Sequence, residues 1–357
     1  MKWGVLLTTA KPDRLSHQEV FESSVEYAVA AERHGYHSAW LLEHHFTPYG
    51  LCPNTLNMAS FILGRTTDLH VGTAVVVAPF MHPVRVAEDV ALIDQLSRGR
   101  FYLGLGRGSF PRDFEVFGAD PAHSHDALQE CVDVIRRAWT QEKVGNEGPV
   151  NRFPEVPVFP RPYQDPHPPI LCSAVSSSTV EWAAKEGIPM VMASTLDDEE
   201  TITRMELYNQ TAEMAGHDPA KIEHVLIVVG YVAESRREAQ DAIIDDLSWW
   251  ADEAIEVGFQ ISDLKKLPNY RFHYRTIEQA ALRGEYTAEH MIRKGFEANP
   301  VGTPEQCIER LEEMIAMTGA QHVVIAIEGA NQREAILQNL ERFATEVFPK
   351  VRVNQFS

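Results

Sequence analysis

The chain is 357 residues long, 44% hydrophobic and 9% aromatic, and its 32 lysines and arginines against 51 aspartates and glutamates leave a formal charge of -19. So acidic a chain repels phosphate backbones and anionic membranes, which argues against nucleic acid as its main partner, and it is too apolar for a disordered acidic polymer. No run approaches the ~18 apolar residues of a membrane span, and the opening MKWGVLLTTAKPD lacks a small-residue cleavage pattern, so a soluble protein of the cytoplasm is expected.

The first predicted elements are a strand in KWGVLLTT and a helix over 18–34, closed by Gly35. SAWLLEHH then reads as a strand, about 55–65 as a helix, LHVGTAVVV as a strand, 83–96 as a helix and RFYLGLG as a strand. A helix over about 124–139 leads into a proline- and glycine-rich excursion at about 140–168, expected to be irregular and at the surface. The alternation resumes with ILCSAV, the helix SSTVEWAAKEG, the strand IPMVMA, an acidic helix over about 197–215, the strand EHVLIVVGYV and a helix over 235–258. A second irregular stretch carries Lys265, Lys266, Arg271 and Arg275 before the last helix–strand–helix unit. Strands starting near Lys2, His37, Leu69, Arg100, Ile170, Ile188, Val225 and His322, each followed by helical sequence, predict an α/β protein with a (β/α)8 barrel as one interrupted domain. A doubly wound open sheet is the rival. Cys52, Cys131, Cys172 and Cys307 are widely spaced without C-x-x-C, so neither a disulfide framework nor a zinc knuckle is expected.

In a barrel the chemistry gathers at the C-terminal strand ends. Glu43, His44 and His45 follow an apolar strand, where a histidine can carry a proton near neutral pH. Alternation sends adjacent side chains to opposite faces, so one histidine is expected to act and the other to support. A metal is the other functional reading, but no H-E-x-x-H accompanies the pair. Gly104 to Gly108 brackets Arg107, which suits a phosphate or, equally, a tight turn beside a structural arginine. Ser176 to Thr179 opens a helix in which Ser178 and Glu181 fit a capping box, while the same hydroxyls and helix start form an anion site. Two weak signals thus point at one phosphate, as in a phosphorylated cofactor such as flavin mononucleotide. His123 and His125 flank another helix start; Trp249 and Trp250 read as partly core.

These segments, above all LLEHHFTPYG, VGTAVVVAPFMHPVRVAEDVALIDQLSRGRFYLGLGRGSFPRDFEVFG and VGTPEQCIERLEEMIAMTGAQHVVIAIEG, resemble the bacterial luciferase family of flavin-dependent monooxygenases across essentially the whole chain, and its alpha subunits most of all. The resemblance implies a barrel with insertions, reduced FMN delivered by a separate NAD(P)H:flavin reductase, molecular oxygen and a small organic substrate oxygenated through a C4a-(hydro)peroxyflavin, in a homodimer. It implies catalytic roles for His44 and His45, and it puts Glu43, Ala74, Val75, Gly106, Arg107, His125, Val175, Ser176 and Thr179 around the flavin. It further implies a non-proline cis peptide near Ala74 and Val75, and a mobile active-site loop at about 259–290.

Three departures bear on substrate. Gly106 stands where luciferase has a reactive cysteine, which is expected to enlarge or reshape the pocket. His125 stands for a phosphate-holding arginine, and Ser194 for a tryptophan at the flavin pocket. The reading they favour is a non-luminescent monooxygenase. The alternatives are a light-emitting long-chain aldehyde monooxygenase, a deazaflavin-dependent or flavin-independent oxidoreductase, and a non-catalytic partner subunit.

Overall fold

The structure, a computed structural model, describes residues 1–193, 198–258, 278, 282–284, 287–327 and 332–352. Strands β1 (Lys2–Leu7), β2 (Ser38–Leu41), β3 (His70–Thr73), β4 (Phe101–Gly106), β5 (Ile170–Ser173), β6 (Met190–Ala193), β7 (Val225–Val229) and β8 (His322–Ala326) are parallel, each bonded to the next. β8 returns onto β1, pairing Lys2 with His322 and Val5 with Ile325, so the sheet closes. Closure excludes the open-sheet rival and makes this a (β/α)8 barrel.

The helices are α1 (His17–Arg33), α2 (Thr55–Leu63), α3 (Pro83–Ser97), α4 (Pro111–Phe117), α5 (Ser124–Thr140), α6 (Ser177–Lys185), α7 (Asp198–Met214), α8 (Arg236–Gly258), α9 (Ala288–Ala298), α10 (Pro304–Thr318) and α11 (Arg333–Arg342). Local chemistry sets several starts. Ser16 and Glu19 form a capping box on α1, Thr303 and Gln306 another on α10. Among the described residues no helix is long and apolar enough to cross a membrane.

The strands read as nearly continuous apolar runs because both faces are buried. In β1, Val5 and Leu7 pack outward under the helices, while Leu6 joins Trp40, Leu171, Val191, Ile227 and Val324 inside the barrel. Trp40 fits because Gly72 has no side chain: a Cβ there would come within 2.6 Å of the indole. At the N-terminal strand ends lies a floor of aromatic polar groups. His37 stacks on His70 at 4.3 Å, His37 Nε2 meets the Tyr102 hydroxyl at 2.9 Å, and His322 Nε2 meets Ser38 Oγ at 2.7 Å.

Two expectations need correction. The excursion after α5 is not wholly irregular: Val144–Glu147 and Arg152–Val156 form an antiparallel hairpin. It forms because Glu130 of α5 accepts the amides of Val150 and Asn151, at 3.0 and 2.8 Å, and so holds the turn. Between β4 and α5, where the sequence reading assigns no element, the chain forms α4. Ser178 does not cap α6; Ser176 is the capping residue, and its side chain makes no capping bond. The stretch proposed as a mobile loop, 259–290, lies mostly outside the described residues, and Ser194 wholly.

Candidate active site

Beyond β2 the chain leaves the sheet, and the side chains of His44 and His45 take different surroundings there. His44 turns into the barrel mouth. Its ring meets Tyr49 edge-on at 4.8 Å and Phe110 at 5.7 Å, and Gly50 leaves the space for it, since a Cβ there would run into Nδ1. That Nδ1 is buried with no hydrogen-bond partner. Burial, with the neighbouring His45, lowers the imidazole to about 4, so it is neutral at pH 7 and has a nitrogen free to take a proton.

His45 faces away, against Phe117 at 4.7 Å, with Nε2 3.4 Å from Glu43 Oε1. Glu43 Oε1 also accepts the Val77 amide at 3.2 Å. Asp113, which no motif singles out, is buried in the first turn of α4. Burial pushes its carboxyl up to about 6, against the pull of His45 and with a further push from Glu43.

The Ala74–Val75 peptide is cis, as the family resemblance implied. Ala74 lines the mouth, its amide bonded to Leu41 O at 2.7 Å. Gly106, however, does not enlarge the pocket. A Cβ at 106 would sit 2.5 Å from Val75 Cγ2, so the valine already occupies the space that the missing side chain leaves.

Across the mouth, Arg107 at the end of β4 is only 8% exposed. Nearby, Ser176 Oγ lies 2.9 Å from Thr179 Oγ1 and 3.2 Å from Ser178 Oγ, and Thr179 Oγ1 is 3.5 Å from His125 Nδ1. The hydroxyl that would cap α6 is thus turned to its neighbours, leaving the first amides of the helix without a side-chain acceptor. Val175, half-buried, precedes this start. Burial, and then Arg107, lower the His125 imidazole. Cys172, next to this cluster, is buried with its thiol pushed up to about 12, so it is no nucleophile.

A cavity of about 400 Å³ opens between His44, Ala74, Ser173, Val191 and Ile227 and runs outward past Tyr49, Trp250, Leu247 and Tyr27. Trp250 stacks on Tyr49 at 4.9 Å, so this tryptophan is wall rather than core. Among the described residues no cluster of three or more metal-ligating side chains occurs.

The family description "Luciferase-like monooxygenase" matches residues 1–322. The chain belongs to the luciferase-like monooxygenases. The alkanal monooxygenase alpha chain of the Kryptophanaron alfredi symbiont is similar to this luciferase-like chain, 35% identical over 352 residues that cover 99% of each. Among solved structures, monooxygenase RslO1 from Streptomyces bottropensis superposes with a TM-score of 0.80 at 27% identity, covering 98% of this chain and 99% of that one. The oxygenating constituent of 3,6-diketocamphane monooxygenase from Pseudomonas putida, in complex with FMN, has a TM-score of 0.77 at 19% identity over 99% of both chains, a likeness of fold.

Proposed function

We propose that this chain is the oxygenating component of a two-component flavin monooxygenase, in which reduced FMN from a separate NAD(P)H:flavin reductase and molecular oxygen oxygenate a small organic substrate without emitting light. The observation that carries the reading is the pairing, at one barrel mouth, of a neutral buried histidine with a phosphate-sized cluster of Arg107, His125, Ser176 and Thr179. Those residues fit the cofactor: the orphaned His44 Nδ1 and the uncapped start of α6 are polar groups awaiting partners.

Bound reduced FMN would supply the electron pair that lets one oxygen atom enter the substrate while the other leaves as water. The protein's part is to bind and to manage protons. Arg107, His125, the hydroxyls of Ser176 and Thr179 and the amides of α6 would hold the phosphate. Ala74 and Val75 would face the ring, with Gly106 behind Val75. Val175 borders the phosphate seat, and Glu43 fastens the chain after Val75 through the Val77 amide. His44 takes up and returns the proton at its imidazole, while Tyr49 and Phe110 fix the ring plane. His45, bonded to Glu43, orients this segment. The apolar walls of the cavity exclude water. The whole chain is read as one domain that pairs with a second copy in the cytoplasm.

The 35% identity to an alkanal monooxygenase alpha chain favours a second reading, long-chain aldehyde oxidation with light. Mixing the anaerobic protein and FMNH2 with ¹⁸O₂ and candidate substrates tests the first. A product carrying one labelled oxygen, in the dark, supports it. Photon emission with an aldehyde supports the second reading, and flavin reoxidation that transfers no oxygen to any substrate removes both.

A further inference from the structure

His125 sits in the first turn of α5 with neutral partners on both nitrogens. Nε2 is 3.1 Å from the Gln129 side-chain nitrogen, and Nδ1 is 3.5 Å from the Thr179 hydroxyl. An amide N–H donates to Nε2 only if that nitrogen is unprotonated, so this network describes the uncharged ring with its proton on Nδ1. Turning the Gln129 amide over presents its carbonyl oxygen instead, which accepts a proton on Nε2. The site is therefore built to satisfy both forms of the ring.

The surrounding charge decides between them. From β4 comes the Arg107 guanidinium, which disfavours a second positive charge. From α5 itself comes Asp126, which favours one but is engaged with His123 Nδ1 at 3.0 Å. Cys172 of β5, a neutral buried thiol, is within the field of Arg107, and α6 turns hydroxyls and the Trp182 indole, edge-on at 6.3 Å, towards the ring. With no anion present, burial and Arg107 keep the ring neutral. A phosphate brings about two negative charges into this half-buried setting and reverses the balance.

We propose that His125 binds a proton when the cofactor phosphate binds, so that flavin loading on this chain is coupled to pH. The inference rests on the reading of Arg107, Ser176 and Thr179 as the phosphate seat. Its consequence is a linkage: where the ring is neutral free and charged bound, each complex formed takes up one proton, and affinity falls up to ~10-fold per pH unit as pH rises. The phosphate's own second ionisation, near pH ~6, is mostly complete above pH ~6.5, and what remains of it would strengthen binding as pH rises, opposite to this slope.

The test uses oxidised FMN and riboflavin as probes, titrated by flavin fluorescence between pH 6.5 and 8.5 on wild type, His125→Arg and His125→Gln, with melting curves to confirm folding. Wild-type FMN affinity should fall roughly 10-fold or more across that range. Riboflavin should bind more weakly and without this slope, and FMN affinity for His125→Arg should be flat. Calorimetry at pH 7.5 in two buffers of different ionisation enthalpy should show proton uptake by wild type and none by either variant. FMN affinity that is flat with pH but still exceeds that of riboflavin overturns the proposal and leaves the phosphate seat standing, as does a wild-type slope retained by His125→Arg. FMN and riboflavin binding equally at every pH removes the seat itself, and the proposal with it.

Discussion

Replacing Gly106 by alanine measures how the pocket floor is packed. The new Cβ would lie 2.5 Å from Val75 Cγ2 and 3.4 Å from Val75 Cβ. Carbon atoms in contact rest about 3.5–4.0 Å apart, so the overlap is about 1 Å. β4 cannot slide to relieve it, because Leu105 and Gly106 pair with Val76 and Val77 on one side and Leu103 to Leu105 with β5 on the other. Val75 must move instead, at an overpacking cost of about 1–3 kcal/mol. Val75→Ala alone should cost about 1 kcal/mol, since this half-buried side chain loses two methyl groups that are only partly withdrawn from water. The double variant restores the volume, so its cost should fall below the sum of the singles by about 1–3 kcal/mol. Urea unfolding of the four proteins measures this cycle, and FMN titration should show affinity lost in Gly106→Ala and regained in the double, since Val75 carries Ala74 of the cavity wall with it. A Gly106→Ala cost under ~0.5 kcal/mol with an additive cycle would refute the packing argument.

Three further outcomes follow from the same geometry. His44→Ala should lower oxygenation by about 10²–10⁴-fold, or divert oxygen to hydrogen peroxide, with the melting temperature little changed; product formed per flavin oxidised checks this, and coupled turnover at the wild-type rate would remove His44 from the proton's path. Acid should destabilise the barrel. His224 is held at about 4 by burial, and the floor histidines His37 and His322 are also lowered, so the folded chain stays neutral at sites where the unfolded chain protonates near its ordinary 6.5. Stability is then complete above pH 6.5 and is lost as pH falls towards 4, by about 2 kcal/mol at pH 5 for His224 alone. His224→Asn keeps an acceptor for the Met190 amide that His224 Nδ1 now binds, and its melting temperature should drop less steeply between pH 7.5 and 5; parallel curves would refute the assignment. Gly295 lies inside α9 with open space where a Cβ would point, so Gly295→Ala should stabilise by about 0.5–1 kcal/mol in thermal unfolding, and any loss would show an unexpected constraint there.

What could be read from the residues alone follows from how local each cause is. The barrel was readable because its strands are buried on both faces and its long helices carry apolar stripes, both properties of single segments. α4 escaped because seven residues give too few turns to show a period, although Pro111 at its start and Gly118 after its end were signals of the right kind. The capping of α6 is not legible from spacing, because the competition among Ser176, Ser178 and Thr179 is settled by which hydroxyl another hydroxyl can reach, and that depends on side-chain directions. Gly106 shows the limit most sharply. A glycine announces a missing side chain but not its neighbour, and Val75, 31 positions earlier in the link that follows β3, turns an expected opening into a filled wall. His125 works in the opposite sense. Its sequence position beside a helix start was ambiguous, but contact with Thr179 from α6 and the field of Arg107 from β4 give it a defined protonation state, which is why its role is best probed through pH rather than through removal alone.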